Sequence, residues 1–285
     1  MSKSSVQMVK HSVAADTKIE IATLVIRMPR LILAQFNTHR MFSRSAQSSR
    51  AIPVKKLLAD VYANPYVPEF RENEKGMQSS ILIRGFRRAL AKFLWLSAKN
   101  FAVSIAWLLS KLNVAKEIAN RVLEPFSYVT VVVTSTEWDN FFELRAHPDA
   151  QADIDQVAVM IRNAINDSKP QVLAIDEWHL PFISDFEVIE AVSLKDLLKM
   201  STARCARVSY LTHDRERPTR EEDFALYARL IESTPMHASP CEHQATPLGD
   251  FEPFGITHIE HSNNQPWSGN FRGWIQHRQL IQQSQ

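Results

Sequence analysis

Residues Lys18 to Arg50 read KIEIATLVIRMPRLILAQFNTHRMFSRSAQSSR, and three kinds of local chemistry follow one another along them. Ile19, Ile21, Thr23, Val25 and Ile26 mix β-branched with apolar side chains, so Lys18 to Met28 predicts a strand ending at Pro29. The proline then opens a helix, because its fixed φ suits the first helical position and its missing N–H is not needed there. Ile32, Leu33 and Phe36 give that helix an apolar side, leaving Gln35, Thr38 and His39 elsewhere on it. Met41 to Arg50 is polar, rich in hydroxyls and flanked by arginines, which predicts a loop of the kind that often carries function. Gln35, His39, Arg40, Ser48 and Arg50 thus bring an amide, an imidazole, two guanidinium groups and a hydroxyl to one helix end and its loop. A guanidinium matches a phosphate with two parallel bonds, and hydroxyls with loop N–H groups fill its remaining acceptor positions, so the grouping suits an anion. A surface loop with incidental arginines is the rival reading.

Composition frames that reading. The chain has 285 residues, 45% hydrophobic and 22% charged, enough to bury a substantial core. Lysine plus arginine number 33 against 31 aspartate plus glutamate, so no global field argues for a nucleic-acid coat or an anionic membrane, and any anion site is local. Six scattered glycines exclude a phosphate loop of the G-x-G-x-x-G or G-x-x-x-x-G-K type. Two cysteines give no disulfide framework, and the opening MSKSSVQMVKHS lacks the apolar core of a secretory signal, so the expectation is cytoplasmic. Asn100 to Ser110, bounded by Lys99 and Lys111, is too short to cross a bilayer and reads as a buried helix.

Further along, Ile81 to Val122 is helical in pattern, with Arg84, Arg87, Arg88 and Lys92 as a solvated stripe on one face. Val129 to Thr136 predicts a strand by propensity. Ile154, Val157, Ala158, Ile161 and Ile165 mark an amphipathic helix. Phe186 to Ala191 reads as a short strand, and Ser193 with Asp196 starts a helix through MSTARCARVSY. Thr219 and Glu222 form a capping box before a helix that buries Phe224, Tyr227, Ala228 and Ile231. His237 with His243, His258 with His261, and His277 lack the spacing of a metal site, so no metal is expected. Cys205 reads as a small buried helix residue and Cys241 as a turn residue, neither in a catalytic setting. This order of elements predicts one α+β domain over 1–285, with long helices covering a mixed sheet.

Pro29 to Arg50 resembles, without a gap, the signature region of flavin-dependent thymidylate synthases. That family carries R-H-R-x7-S before an arginine, and T-H-R-x7-S stands here with His39, Arg40, Ser48 and Arg50 in register. A second block, 119–165, contains R-V-L-E-P (Arg121 to Pro125) and N-F-F-E-L-R-A (Asn140 to Ala146), similar to the family's R-x-V-L-P and N-F-L-x-L-R-A. A third, 186–250, contains A-R-C-A-R-V-S-Y (Ala203 to Tyr210) and H-A-S-P-C-E-H (His237 to His243), similar to A-A-R-V-S and H-x-T-P-F-E-H. In the usual family chain this third block comes first, so the order here looks like a circular permutation, which surface termini tolerate. The tail 251–285 has no counterpart. If the alignment holds, the strand near Lys18 to Met28 shares a sheet with strands near Phe186 to Ala191 and after His243.

The resemblance implies a homotetramer whose shared sites stack FAD on a pyrimidine deoxynucleoside monophosphate. It implies methylenetetrahydrofolate as carbon donor, NADPH as reductant, and no cysteine nucleophile. By matching position, Gln35, Ser48, Ser49, Arg50, Arg121 and Arg145 hold the nucleotide, with Arg50 on its phosphate. Arg145 and Ser48 are the catalytic candidates, Arg145 facing the ring. His39, Arg40, Met41, Asn140, Ser209 and His243 contact FAD. Thr38 replaces the family's first arginine, Ala46 a loop glutamate and Asp149 a histidine near the flavin, changing how FAD phosphates or folate are held. The expected reaction is methylation of dUMP to dTMP. Hydroxymethylation of dUMP or dCMP at the same site, and an inactive relative binding nucleotide or nucleic acid, are the alternatives; membrane and nucleic-acid partners are not expected.

Overall fold

Alternation along the second strand decides which way the sheet faces. Ala22, Leu24, Ile26 and Met28 fall on one side at the period of two that a pleated strand imposes, and all four are buried. The computed structural model describes residues 4–75, 79–190, 193–208, 218–248 and 267–283. Strands β1 (Ser5–Ala14), β2 (Glu20–Pro29), β3 (Ser43–Ala46), β4 (Tyr128–Ser135) and β5 (Gln171–Leu173) form one sheet in the order β3-β4-β2-β1-β5. β1 and β5 pair in parallel and the other neighbours are antiparallel, so the sheet is mixed. The helices are α1 (Leu33–Phe36), α2 (Val54–Ala63), α3 (Gly85–Lys111), α4 (Lys116–Ala119), α5 (Asp139–Arg145), α6 (Ala152–Asn166), α7 (Asp185–Glu190), α8 (Leu194–Arg207), α9 (Arg220–Ile231) and α10 (His277–Gln283). The fold is therefore α+β, as the element order predicts.

The apolar side of the sheet packs against α6. Val129, Val131 and Val133 of β4 join the β2 residues, and Ile154, Val157, Ala158 and Ile161 of α6 cover them. The opposite side carries a row of buried hydroxyls, and two histidines lie on it. Thr23 and Thr134 Oγ1 are 2.7 Å apart. His179 bridges Thr23 (2.8 Å) and Ser12 (2.9 Å), and His243 bridges Thr134 and Ser45, both at 2.9 Å. Ala14, Ile21 and Leu173 on this side also share a core with Ala245, Phe271 and Trp274. The C-terminal part of the chain is thus packed onto the same sheet as the N-terminal part.

Several expectations need correcting. Ser43–Ala46, inside the expected loop Met41 to Arg50, is the edge strand β3, because Ala46 and Ser45 find backbone partners on Val131 and Val132 despite their polar setting. The proline-opened helix is short: Pro29 still pairs with Tyr128, a 3-10 turn spans Arg30–Ile32, and α1 has four residues. Phe186 to Glu190 is helical, not extended, because Ser184 caps α7 by accepting from Glu187 N–H while Glu187 accepts from Ser184 N–H and O–H. The strand after His243, β6 (Ala245–Pro247), pairs outside the main sheet with β9 (Trp274–Gln276); β7 (Trp267–Ser268) and β8 (Phe271–Arg272) form a further small hairpin. Neither segment therefore adds a strand beside β2.

Asn100 to Ser110 belongs to the 27-residue α3, which is mostly exposed rather than buried. Its inner edge, Lys99, Ala102 and Ala106, packs on α2 and the 3-10 segment Asn120–Phe126. By length and composition α3 could cross a bilayer, unlike the shorter run read from sequence. His258 and His261 lie outside the described residues. Among the described residues no cluster of histidines, cysteines and carboxylates could hold a metal.

Candidate active site

The turn after α1 is built by aromatic packing. Phe36, Phe42 and Phe141 meet with ring centroids 5.1–5.7 Å apart, which brings the first turn of the signature segment against α5. His39 sits in this cluster, 8% exposed, with Phe141 edge-on at 4.8 Å. Arg145, the last residue of α5, donates from Nε to His39 Nε2 at 3.1 Å. Burial first, then the guanidiniums of Arg145 and Arg44, hold the His39 imidazole below the ordinary histidine range. Its Nε2 is consequently a lone-pair acceptor near neutral pH.

Arg44 was not singled out in the sequence, yet it closes the turn by donating from Nη1 to the carbonyls of Asn37 and His39, both at 2.9 Å. Gln35 belongs to the same neighbourhood. Its Nε2 donates to Gln151 Oε1 at 2.6 Å, Gln151 Nε2 donates to Asp153 at 3.3 Å, and the buried Tyr66 hydroxyl donates to the same carboxylate at 2.7 Å. Because a carboxylate only accepts, this chain of donors fixes the orientation of both amides and leaves Gln35 Oε1 as the acceptor at its end. No feature of the sequence linked Gln35 to Tyr66.

Ser48, Ser49, Arg50 and Arg121 make a second group on the far side of β3. Asn120 holds this loop by donating to the carbonyls of Ser49 (2.8 Å) and Ile52 (2.9 Å) from a fully buried position. Arg50 N–H donates to Ser48 Oγ at 3.3 Å. Arg50 and Arg121 point to solvent and touch Glu117 (3.2 Å) and Glu124 (3.6 Å). Exposed pairs of this kind contribute little, about 0–1 kcal/mol, so both cations are free to exchange partners for an anion. Among the described residues no hydrogen bond or ion pair joins this group to His39, Gln35 or Arg145.

The residues matched to a cofactor are placed unevenly. Arg40 and Asn140 are exposed and Met41 half-buried beside the His39 turn. Arg40 has no hydrogen-bond or ion-pair partner among the described residues. Its exposed guanidinium is open to an external anion. His243 is in the core with both ring nitrogens engaged, and burial lowers its imidazole to about 3. Ser209 lies outside the described residues. Of the departures from the signature, Thr38 donates to the Gln35 carbonyl at 2.7 Å, Ala46 lies in β3, and Asp149 is exposed 3.7 Å from His147. Cys205 and Cys241 are fully buried, and burial raises both thiols, Cys241 to about 12.

With this geometry in place, comparison with known proteins is informative. The family described as thymidylate synthase complementing protein matches residues 7–171. Among solved structures the chain is similar to a UMP/dUMP methylase PolB from Streptomyces cacaoi bound with 5-Br dUMP, at 19% identity and a TM-score of 0.47, covering 57% of this chain and 90% of that one. The same methylase bound with 5-Br UMP gives the same identity and TM-score over 57% and 89%. No curated protein matches the chain.

Proposed function

This chain belongs to the thymidylate synthase complementing protein family, and from that premise we propose that it transfers a one-carbon unit from methylenetetrahydrofolate to C5 of a pyrimidine deoxynucleoside monophosphate, converting dUMP to dTMP. The observation that carries the reading is Arg145: its Nε is anchored on His39, and its two terminal amino groups have no partner among the described residues. A guanidinium held in this way presents a two-pronged donor to a ring carbonyl. As C5 becomes nucleophilic, negative charge grows on that oxygen, and a preset donor stabilises it more than it stabilises the bound substrate.

Arg50, with Arg121, Ser48 and Ser49, binds the phosphate in this proposal, and Gln35 offers its Oε1 to a donor on the base or sugar. Arg40, Asn140 and Met41 would hold FAD, which would supply the hydride after reduction by NADPH. Burial of both cysteines supports a route without a thiolate. In this proposal the site is shared between subunits of a homotetramer, the Arg145 group and the Arg50 group having no hydrogen bond or ion pair to one another among the described residues. The exposed apolar side chains Phe86 (80%), Phe93 (65%) and Phe101 (70%) of α3 are consistent with a covering subunit there. The docking of the third block on the signature-bearing sheet supports a circularly permuted chain.

The test is direct. Purified protein should carry or take up FAD at one per chain and convert dUMP with methylenetetrahydrofolate and NADPH to a product 14 mass units heavier, on the order of one methylene by the chemistry proposed. A hydroxymethyl product, or conversion of dCMP instead, would select the alternative chemistry at the same site; a colourless protein without FAD affinity would remove the mechanism.

A further inference from the structure

Arg145 is held from one side only. Its Nε–H is spent on His39 Nε2, while the terminal nitrogens remain open. The imidazole that accepts this bond is itself immobile. Phe141 meets it edge-on at 4.8 Å and Phe42 lies 5.7 Å away. Its own backbone carbonyl accepts from Arg44 at 2.9 Å, and its backbone N–H donates to the Phe36 carbonyl at 3.3 Å. The ring therefore cannot turn without opening the aromatic cluster, and the direction of the guanidinium fork follows from its position.

An imidazole accepting at Nε2 carries its proton at Nδ1, and a second proton would convert Nε2 into a donor facing another donor. We propose that His39 is a positioning residue for Arg145, aiming the terminal amino groups toward the pyrimidine only while its imidazole is neutral. This rests on the nucleotide-facing role given to Arg145 above and adds to it a condition on His39. The charged groups acting on His39 are Arg145 from α5 and Arg44 from β3; both are cations, and with burial, the largest influence, they favour the neutral ring. Arg40 beside it in the chain is a further cation, and no carboxylate is among the groups shifting it. The site thus stays in its working state down through the ordinary histidine value, and only acid below it should switch the fork off.

Two variants separate positioning from packing. His39→Gln keeps an acceptor within reach of the Arg145 Nε–H but does not titrate; His39→Leu keeps the apolar contacts and has no acceptor. Single-turnover rates with dUMP, KM for dUMP and flavin content are measured from pH 5 to 8, together with the 15N–1H resonance of Arg145 Nε, assigned by its loss in Arg145→Lys. The wild-type rate should fall with one proton on acidification below the histidine range while KM changes little. His39→Gln should lose that acid limb and keep its rate within about tenfold. His39→Leu should be slower by about 10- to 100-fold at every pH, the scale of a misdirected charge donor. The protected Nε–H signal should persist in His39→Gln and vanish in His39→Leu. An unchanged acid limb in His39→Gln, a wild-type rate in His39→Leu, or a protected Nε–H signal that survives in His39→Leu overturns the proposal. Loss of flavin from both variants with that signal intact would assign His39 to the cofactor and also overturn it. Should the wild type convert no nucleotide, the functional reading fails, and the resonance still decides whether His39 orients Arg145.

Discussion

Arg145 and Arg50 are both arginines of the matched motifs, but their surroundings differ, and the proposed function gives them different work. One is anchored at Nε inside an aromatic turn; the other lies three-quarters exposed on a hydroxyl-rich loop, paired with Glu117. Arg145→Ala should lower single-turnover methyl transfer on the order of 100-fold while dUMP affinity stays within a few-fold, since the lost interaction grows only as charge develops. Arg50→Ala should show the reverse, with weakened affinity and a rate at saturation near wild type. Equilibrium dialysis and rapid-quench rates separate the two, and near-normal turnover in Arg145→Ala would defeat the assignment. The cysteines give a complementary check at the same scale. Because burial pushes both thiols up, neither should react with an aromatic disulfide reagent in the native protein, and both should react after unfolding. Rapid native labelling of Cys205 would contradict its place in the core.

Among the elements, α8 and α9 are joined by charge rather than by apolar packing alone. Asp223, fully buried, accepts from Arg204 Nε at 2.8 Å and from Arg207 Nη2 at 2.9 Å, and Arg204 also donates to Glu187 of α7 at 2.8 Å. Burial alone would raise the Glu187 carboxyl, but Arg204 and the Ser184 cap pull it down to about 2. Asp223→Ala leaves buried arginine charge without its counter-ion and should cost about 3–5 kcal/mol in urea unfolding. A loss below 1 kcal/mol would mean that water reaches the cluster. These arginines belong to the motif Ala203 to Tyr210, so that stretch was legible as important although its structural task was not. The legible elements were those whose burial is periodic: β2, β4, α6 and the capped α9 follow from side chains alone. β3 was hidden because Ser43, Arg44, Ser45 and Ala46 look like a loop, and only backbone pairing with β4 makes them a strand. α7 was hidden because its apolar residues Phe186, Val188 and Ile189 are exposed rather than facing a core. Within the site, motif spacing brought out His39 and Arg145 separately; their contact across 106 positions, like that of Gln35 with Gln151, exists only once the aromatic turn has folded.

At the scale of the molecule, the two halves of the chain are held together across a polar layer, and that has a pH consequence. His179 and His243 are the contacts through which the C-terminal part reaches the hydroxyl row of Ser12, Thr23, Thr134 and Ser45. Both imidazoles are fully buried and lowered, His243 to about 3 by burial and His179 well below its ordinary value. A group whose folded pKa is depressed contributes stability above its unfolded value, and that contribution declines as pH falls from the unfolded toward the folded pKa. The window therefore opens near pH 6.5 and extends toward 3. Across it His243 removes about 1.4 kcal/mol per pH unit, on the order of 3 kcal/mol by pH 4.5, and His179 acts in the same direction. Against a total stability of about 5–15 kcal/mol for a folded domain, that is a large fraction of what holds the C-terminal part in place. Urea unfolding at intervals from pH 7.5 to 4.5 should show stability falling with a slope of between one and about two protons below pH 6.5. In a His179→Gln, His243→Gln double variant, uncharged at every pH, the absolute stability at pH 7.5 should be lower because the bridging geometry is imperfect, while the slope should flatten by most of that amount. A double variant that keeps the wild-type slope would show that groups other than His179 and His243 govern the loss of stability over this pH range, and would overturn the assignment of the acid sensitivity to the histidine layer.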